Sequence, residues 1–190
     1  MRTFAIAFLV LWLIPAAAAD LDKPVILVAK PNLHDPLYGQ SVLVVAPLGA
    51  GQHVGFIINR PTDLTLGKMF PDHAPSQKVV DPVFRGGPLE PGLIFALVRR
   101  PTSPGGNSFE MMPGLYVAFE APVIDRIIEN EPDRARFMAG LVAWRPGELR
   151  SELELGAWDV LDAEPSLTMR GPQGLWEELV RRSHKLRNTI

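Results

Sequence analysis

The sequence predicts an α+β fold, with a mostly antiparallel β-sheet and helices packed on its outside. Before Pro122 the apolar runs are short, rich in β-branched residues and separated by glycine and proline turns, a pattern typical of strands. From Pro122 onwards the apolar residues begin to recur at helical spacing. Strands and helices do not alternate as they do in parallel α/β folds, and the chain has no internal repeat.

The first strands are predicted to form a hairpin with a partner beside it. Val25–Ala29 is a short apolar run and forms the first strand. Ser41–Leu48 is apolar at nearly every position, which indicates a strand buried on both faces. After a turn at Gly49–Gln52 the chain returns through His53–Asn59, so the two runs form an antiparallel hairpin. Gly55 lies inside the returning strand, where a missing side chain permits close approach of another group.

The middle of the chain is predicted to hold one short helix and four strands. The helix is Thr62–Phe70; its N-cap is Thr62, Asp63 or Thr65, and its inward face holds Leu64, Leu66 and Met69. The strands are Val83–Arg85, Leu93–Val98, Ser108–Met112 and Leu115–Phe119. The last two strands form a second hairpin around a Pro-Gly turn.

The last third of the chain mixes helices with strands. Pro122 opens a helix whose apolar face holds Val123, Ile124, Ile127 and Ile128. A strand is predicted at Arg136–Val142, and a helix then opens at Pro146-Gly147 and ends at Gly156. The final elements are a strand at Trp158–Leu161 and a helix with Leu175, Trp176, Leu179 and Val180 on one face.

Length and composition restrict the function classes. A chain of 190 residues with 47% apolar residues is long enough for one domain with a real core. It contains no cysteine, which excludes disulfides, thiolate metal sites and cysteine nucleophiles. The net charge of −2 provides no general attraction to nucleic acid, so no nucleic-acid partner is expected.

Residues 1–19 have the pattern of a secretory signal peptide, which leaves residues 20–190 as a single domain. Arg2 supplies the positive charge, Phe4–Ile14 is apolar, and Ala16–Ala19 provides small residues for cleavage. The apolar segment is shorter than the roughly 20 residues of a spanning helix, although a membrane anchor is the alternative. The mature chain has no membrane span and is expected in the periplasm or outside the cell. A misassigned start codon would instead leave the protein in the cytoplasm.

Several motifs, in their order along the chain, resemble the YqgE/AlgH family. They are Ala29-Lys30-Pro31 with Asp35-Pro36, Gly55-Phe56-Ile57-Ile58-Asn59-Arg60-Pro61, Gly86-Gly87-Pro88, Trp144-Arg145-Pro146-Gly147-Glu148-Leu149 and Leu175-Trp176-Glu177-Glu178-Leu179. The resemblance implies an α+β fold with a strongly bent sheet. It implies no established biochemical reaction and therefore a non-enzymatic binding or regulatory module. Family members are expected in the cytoplasm, whereas this chain carries an apparent signal peptide.

Asn59 and Arg60 are the first candidate ligand-binding residues. They end a core strand, and Pro61 then prevents the strand from continuing. A guanidinium group presents a planar set of donors suited to a carboxylate or another anion. The alternative is structural: Asn59 caps the strand and Arg60 pairs with an acid such as Asp63.

Arg85, Gly86, Gly87 and Trp144 complete the candidates. Consecutive glycine amides after Arg85 can point at one anion, although the same pair also suits a tight turn with positive φ. Trp144 can form a ligand platform with Trp158, or both rings can belong to the core. The predicted ligand is therefore a small anion or an unknown protein partner.

An enzyme is the main alternative, and its site would be formed by His34, Asp35 and Arg60. This hydrolase hypothesis requires the three side chains to converge in one polar pocket. No catalytic residue, metal site or cofactor is predicted beyond it, because no His-x-x-x-His spacing, phosphate loop or Gly-x-Ser-x-Gly motif is present. A third hypothesis is a structural or oligomerising domain with exposed apolar helix faces; the sequence does not indicate the oligomeric state.

Overall fold

The computed structural model describes residues 20–188, and the predicted signal peptide at residues 1–19 lies outside the described residues. The strands are β1 (Val25–Ala29), β2 (Val42–Gly49), β3 (Gln52–Ile57), β4 (Pro61–Thr65), β5 (Pro82–Arg85), β6 (Leu89–Arg99), β7 (Ser108–Met112), β8 (Leu115–Ala118), β9 (Ala135–Trp144) and β10 (Trp158–Asp162). The helices are α1 (Leu66–Met69), α2 (Ala121–Asn130), α3 (Glu148–Glu154) and α4 (Leu175–Arg187), with short 3₁₀ turns at Ala74–Lys78, Pro132–Arg134 and Pro165–Met169.

The predicted α+β class is confirmed. The strands form one curled sheet in the order β10-β1-β2-β3-β9-β6-β8-β7, and each neighbouring pair along this path is antiparallel. β4 and β5 lie beside this path, where β5 pairs with β4 in antiparallel and with β9 in parallel orientation. Within residues 20–188, none of the helices has the length and apolar character needed to cross a membrane.

β9 joins the two halves of the sheet. Its C-terminal end pairs with β3, where Gly55 faces Val142. Its N-terminal half pairs with β6 over Ala135–Ala139. Leu141 also pairs with Leu89 of β6 after a register shift. Gly140 lies at this shift with a φ of 73°, in the left-handed region that favours glycine. The sheet therefore changes direction within a single strand.

The segment after β5 crosses β9 at this bend with no space for side chains. The Gly86 N–H donates to Ala139 O at 2.8 Å, and the Ile57 N–H donates to Gly86 O at 2.8 Å. A Cβ atom on Gly86 would lie 2.2 Å from Gly140 O, and one on Gly87 would lie 2.1 Å from Leu141 O. Both glycines are therefore needed for close backbone packing.

Side chains pack on both faces of the sheet, as predicted for the second strand. Val42 and Val44 face the cluster that contains Leu179 of α4, whereas Leu43 and Val45 face the cluster around α3. The predicted apolar face of α2 is also confirmed, since Val123, Ile124, Ile127 and Ile128 are all buried. Gly55 permits close packing as expected, because a Cβ there would lie 3.0 Å from the Trp144 ring.

The predicted helix at Thr62–Phe70 is largely wrong. Only Leu66–Met69 is helical, with Thr65 as its N-cap, and Pro61–Thr65 forms strand β4. The reason is pairing with β5: the Thr62 hydroxyl donates to Val83 O at 2.7 Å. Leu66 is buried as expected, but Leu64 is 48% exposed because it belongs to the strand.

The crossing predicts a strong difference between two glycine variants. Gly87→Ala places a methyl group against the backbone of Leu141 and should lower the free energy of unfolding by about 2–4 kcal/mol. Gly92→Ala is the matched control, because nothing lies within 4 Å of its added Cβ, and it should change stability by less than about 0.5 kcal/mol. Urea unfolding of both variants measures this difference, and equal losses would contradict the proposed role of the crossing.

Candidate functional site

The candidate site is a cleft of about 310 Å³ beside the end of β3. We call it the arginine cleft. Its lining residues are Pro36, Leu37, Arg60, Pro61, Thr62, Asp63 and Arg85. Two of the predicted ligand-binding residues, Arg60 and Arg85, thus line one cavity although they are far apart in sequence.

Strand pairing brings the two arginines together. Pro61 starts β4, which runs antiparallel to β5 with Pro61 opposite Phe84. The Arg85 N–H donates to Arg60 O at 2.8 Å, so the two residues are backbone neighbours. Among residues 20–188, Asp63 is the only acidic residue that lines the cleft, so the charges of this lining are two cations and one anion.

Arg60 is the half-buried member of the pair, and its guanidinium group is not fully satisfied. One terminal nitrogen donates to Gly39 O. Its Nε is buried and has no hydrogen-bond partner among the described residues. Leaving such a donor unpaired costs about 1–3 kcal/mol, so an acceptor that reaches it would be stabilising.

The alternative pairing of Arg60 with Asp63 is wrong. No ion pair between Arg60 and any acid is present within residues 20–188, although Asp63 lines the same cleft. Arg85 is exposed, and its side chain likewise makes no hydrogen bond or ion pair in the described part of the chain. Both guanidinium groups therefore retain donors for a ligand.

Asn59 has a structural role, which was the predicted alternative to ligand binding. Its Oδ1 accepts the Val42 N–H at 2.9 Å, and its Nδ2 donates to Gln40 O at 2.9 Å. The side chain thus holds the start of β2 against the end of β3. Asn59 does not line the arginine cleft; it fixes the segment that carries Arg60.

Neither explanation predicted for Gly86 and Gly87 matches the structure. The Gly86 N–H is already bonded to Ala139 O, so it is not free to form an anion nest. Neither glycine has positive φ, so the tight-turn explanation is also wrong. The pair exists because its backbone packs directly on β9, and neither residue lines the arginine cleft.

Trp144 lies in the core and does not line the cleft. It is 4% exposed and packs in one cluster with Leu43, Leu149 and Trp158. Trp158 is also buried, and its Nε1 donates to Glu152 at 2.7 Å. Both rings therefore belong to the core, which was the predicted alternative to a ligand platform.

The residues of the hydrolase hypothesis do not converge on the cleft. Arg60 lines it, but His34 and Asp35 do not. Asp35 instead uses its Oδ1 to accept the N–H groups of Leu37 and Tyr38, both at 2.8 Å. This turn positions Leu37 as one wall of the cleft. Asp35-Pro36 was noted in the family resemblance, but nothing in the sequence indicated that this loop would meet Arg60.

Arg136 is a further, half-buried cation that contacts the segments carrying Arg60 and Arg85. Arg136 of β9 donates to Ile58 O at 2.9 Å and to Arg170 O at 2.8 Å. Its guanidinium carbon lies 4.1 Å from the centre of the Phe84 ring. Burial lowers the pKa of Arg136 to about 10, so it remains protonated at neutral pH. Arg136 thus ties together the strand ends that carry Arg60 and Arg85.

The residues present define the chemistry that the site offers. Within residues 20–188, no three histidine or acidic side chains are grouped as metal ligands would be. The arginine cleft supplies cationic hydrogen-bond donors instead. The fold and the cleft together define an α+β domain with a small cleft that two arginines line.

Comparison with known proteins gives the family. A model of the AlgH-like family (DUF179) matches residues 26–185. A UPF0301 protein of Streptomyces coelicolor is 34% identical over 170 residues, which cover 83% of this chain and 84% of that protein. A UPF0301 protein of Streptomyces avermitilis is 32% identical with the same coverage. The chain belongs to the AlgH-like family, which confirms the resemblance stated from its motifs.

Two solved structures share the fold. The solution structure of AlgH from Pseudomonas aeruginosa matches with a TM-score of 0.71 and 23% identity, covering 88% of this chain and 91% of that one. The crystal structure of a protein from Corynebacterium diphtheriae matches with a TM-score of 0.68 and 23% identity, covering 86% and 88%. At this identity the likeness establishes the curled sheet and its helices.

The role of Asn59 predicts a measurable loss of stability. Asn59→Ala removes the acceptor for Val42 and the donor to Gln40 at a half-buried position, which should cost about 1–3 kcal/mol. Asn32→Ala is the control, because Asn32 is exposed and its side chain has no hydrogen bond among the described residues. Urea unfolding compares the stabilities of the two variants. A loss of stability in Asn59→Ala no larger than in Asn32→Ala would refute the structural role of Asn59.

Proposed function

We propose that the protein is a non-enzymatic binding module that takes a small anionic ligand, such as a phosphate or carboxylate compound, in the arginine cleft. The observation that carries this proposal is that Arg60 and Arg85 line one cleft and neither is paired with an acid among the described residues, while the Nε of Arg60 has no hydrogen-bond partner there. A guanidinium pair donates several hydrogen bonds to one oxyanion, and such charge-assisted bonds are stronger than neutral ones.

The shape of the cleft supports a small ligand. Its volume of about 310 Å³ lies at the lower end of the range typical of small-molecule sites. Pro36, Leu37 and Pro61 give it partly rigid apolar walls, while Asp63 places one negative charge at its edge. A ligand with a compact anionic group and a short body matches this lining.

The two other hypotheses have less support. The hydrolase hypothesis needs His34 and Asp35 at the same pocket as Arg60, and neither lines it. The oligomerising hypothesis expected exposed apolar faces on the later helices. Val123 and Ile127 of α2, and Leu175 and Leu179 of α4, are instead buried within the domain.

Export to the periplasm or the cell exterior is part of the proposal. It is supported by the order of Arg2, the apolar Phe4–Ile14 and the small residues Ala16–Ala19. A regulatory role would then act through a ligand or protein outside the cytoplasm.

Anion binding is tested by titrating the protein with inorganic phosphate and with succinate at constant ionic strength. We expect saturable amide shifts at Leu37 and Thr62 in ¹H–¹⁵N spectra. Arg85→Gln should weaken binding about tenfold, which corresponds to the loss of one charge-assisted bond. The matched control is Arg145→Gln, since Arg145 is exposed, lies outside the cleft and has no side-chain partner among the described residues. Equal weakening in both variants would mean general charge attraction and would refute a specific site.

Localisation is tested by fractionating cells and sequencing the N-terminus of the purified protein. Export predicts a mature chain that starts near Asp20 in the exported fraction. An intact Met1 in the membrane fraction would indicate an anchor, and a cytoplasmic protein with a later start would contradict export.

A further inference from the structure

A second cavity is lined by residues of α1 instead of β4 and is largely apolar. We call it the α2 pocket; its volume is about 290 Å³. The arginine cleft is lined by the first residues of β4, whereas the α2 pocket is lined by α1, the segment after it, β6 and α2. None of the residues predicted from sequence as ligand-binding lines it.

Three large apolar side chains lie exposed around this pocket. Phe70, Leu93 and Phe119 are 43%, 53% and 49% exposed, and they come from three separate parts of the chain. Ile124 and Ile128 of α2 line the same pocket from the buried side. Clustered exposure of this kind, above a buried apolar floor, is typical of a binding site rather than of scattered surface residues.

The charge of the pocket indicates what it would hold. Asp125 of α2 lines it, is exposed, and makes no hydrogen bond or ion pair within residues 20–188. No lysine or arginine of the described part of the chain lines the pocket. The other polar side chains there, His73 and Ser76, are bonded to one another at 2.8 Å. The free carboxylate is therefore complementary to a cation.

We propose that the α2 pocket binds a small aromatic amine, with the ring against Phe70, Leu93 and Phe119 and the ammonium group beside Asp125. Offset or edge contacts with the two phenyl rings favour an aromatic body. The same rings also attract a cation through their faces. The volume limits the occupant to a single ring with a short chain. This site is independent of the anion-binding function proposed above, because the two cavities share no lining residue.

The experiment is a titration with 2-phenylethylammonium at constant ionic strength, followed in ¹H–¹⁵N spectra. We expect saturable shifts at Leu93, Phe119 and Asp125. The same titration with 3-phenylpropionate, which has a similar body and a negative head, should give binding at least about tenfold weaker. Equal affinity for the two compounds, or shifts that never saturate, would overturn the proposal.

Variants on the pocket separate its charge from its shape. Asp125→Asn should weaken phenylethylammonium binding about tenfold, whereas Glu129→Gln should not, because Glu129 is an exposed acid on the same helix that does not line the pocket. Phe119→Ala should weaken binding of both compounds. Because Asp125, Glu129 and Phe119 are exposed, we expect each variant to fold, and dispersed spectra check this. Unchanged binding of phenylethylammonium in Asp125→Asn would overturn the ion-pair argument. Arg85→Gln removes a side chain of the arginine cleft and should leave phenylethylammonium binding unaltered.

Discussion

Direct backbone packing between Gly86-Gly87 and the bend of β9 determines how the sheet curves and where the arginine cleft forms. Added Cβ atoms at the two glycines would lie 2.2 Å from Gly140 O and 2.1 Å from Leu141 O, well inside van der Waals contact. At the same bend the pairing of β9 with β6 shifts register, and the pairing with β3 begins two residues later, at Val142. Curvature of the sheet and the path of the chain after β5 are therefore determined at one point.

The arginine cleft is positioned by this crossing. The Gly86 carbonyl accepts the Ile57 N–H at the end of β3, and one residue earlier Arg85 donates its N–H to Arg60 O. Two hydrogen bonds from consecutive residues thus align the strand end that carries Arg60 with the strand that carries Arg85. The half-buried Arg136 links the two strands, since it donates to Ile58 O and lies over the Phe84 ring. The cationic site is a consequence of how the sheet closes.

Local patterns made most of the fold predictable. Short β-branched runs and the apolar face of α2 are features of neighbouring residues, so the hairpins, the central strands and the later helices could be derived from sequence. β4 could not, because Thr62–Phe70 has helical spacing and its first part, up to Thr65, becomes a strand only through pairing with β5. The role of the two glycines was also missed, since close contact with a strand more than 50 residues away leaves no local signal.

For the site, the sequence indicated which side chains to consider but not which would meet. Arg60 stood out because it follows a core strand and Arg85 because it precedes two glycines, and both line the cleft. Asn59, at the end of the same core strand, and Trp144, a possible ligand platform, serve the framework instead. His34 and Asp35 were near in sequence to one wall of the cleft, yet the Asp35 carboxylate is used in its own turn. Tertiary pairing alone decides between these outcomes.

Anion binding in the arginine cleft is tested most directly by the side-chain Nε–Hε resonance of Arg60, observed by ¹H–¹⁵N spectroscopy while inorganic phosphate is added. The buried Nε has no partner among the described residues, so a bound anion should move this resonance downfield in a saturable way and slow its exchange with water. A resonance that stays unchanged while phosphate binds elsewhere, or while none binds, would contradict the proposed role of the arginine cleft.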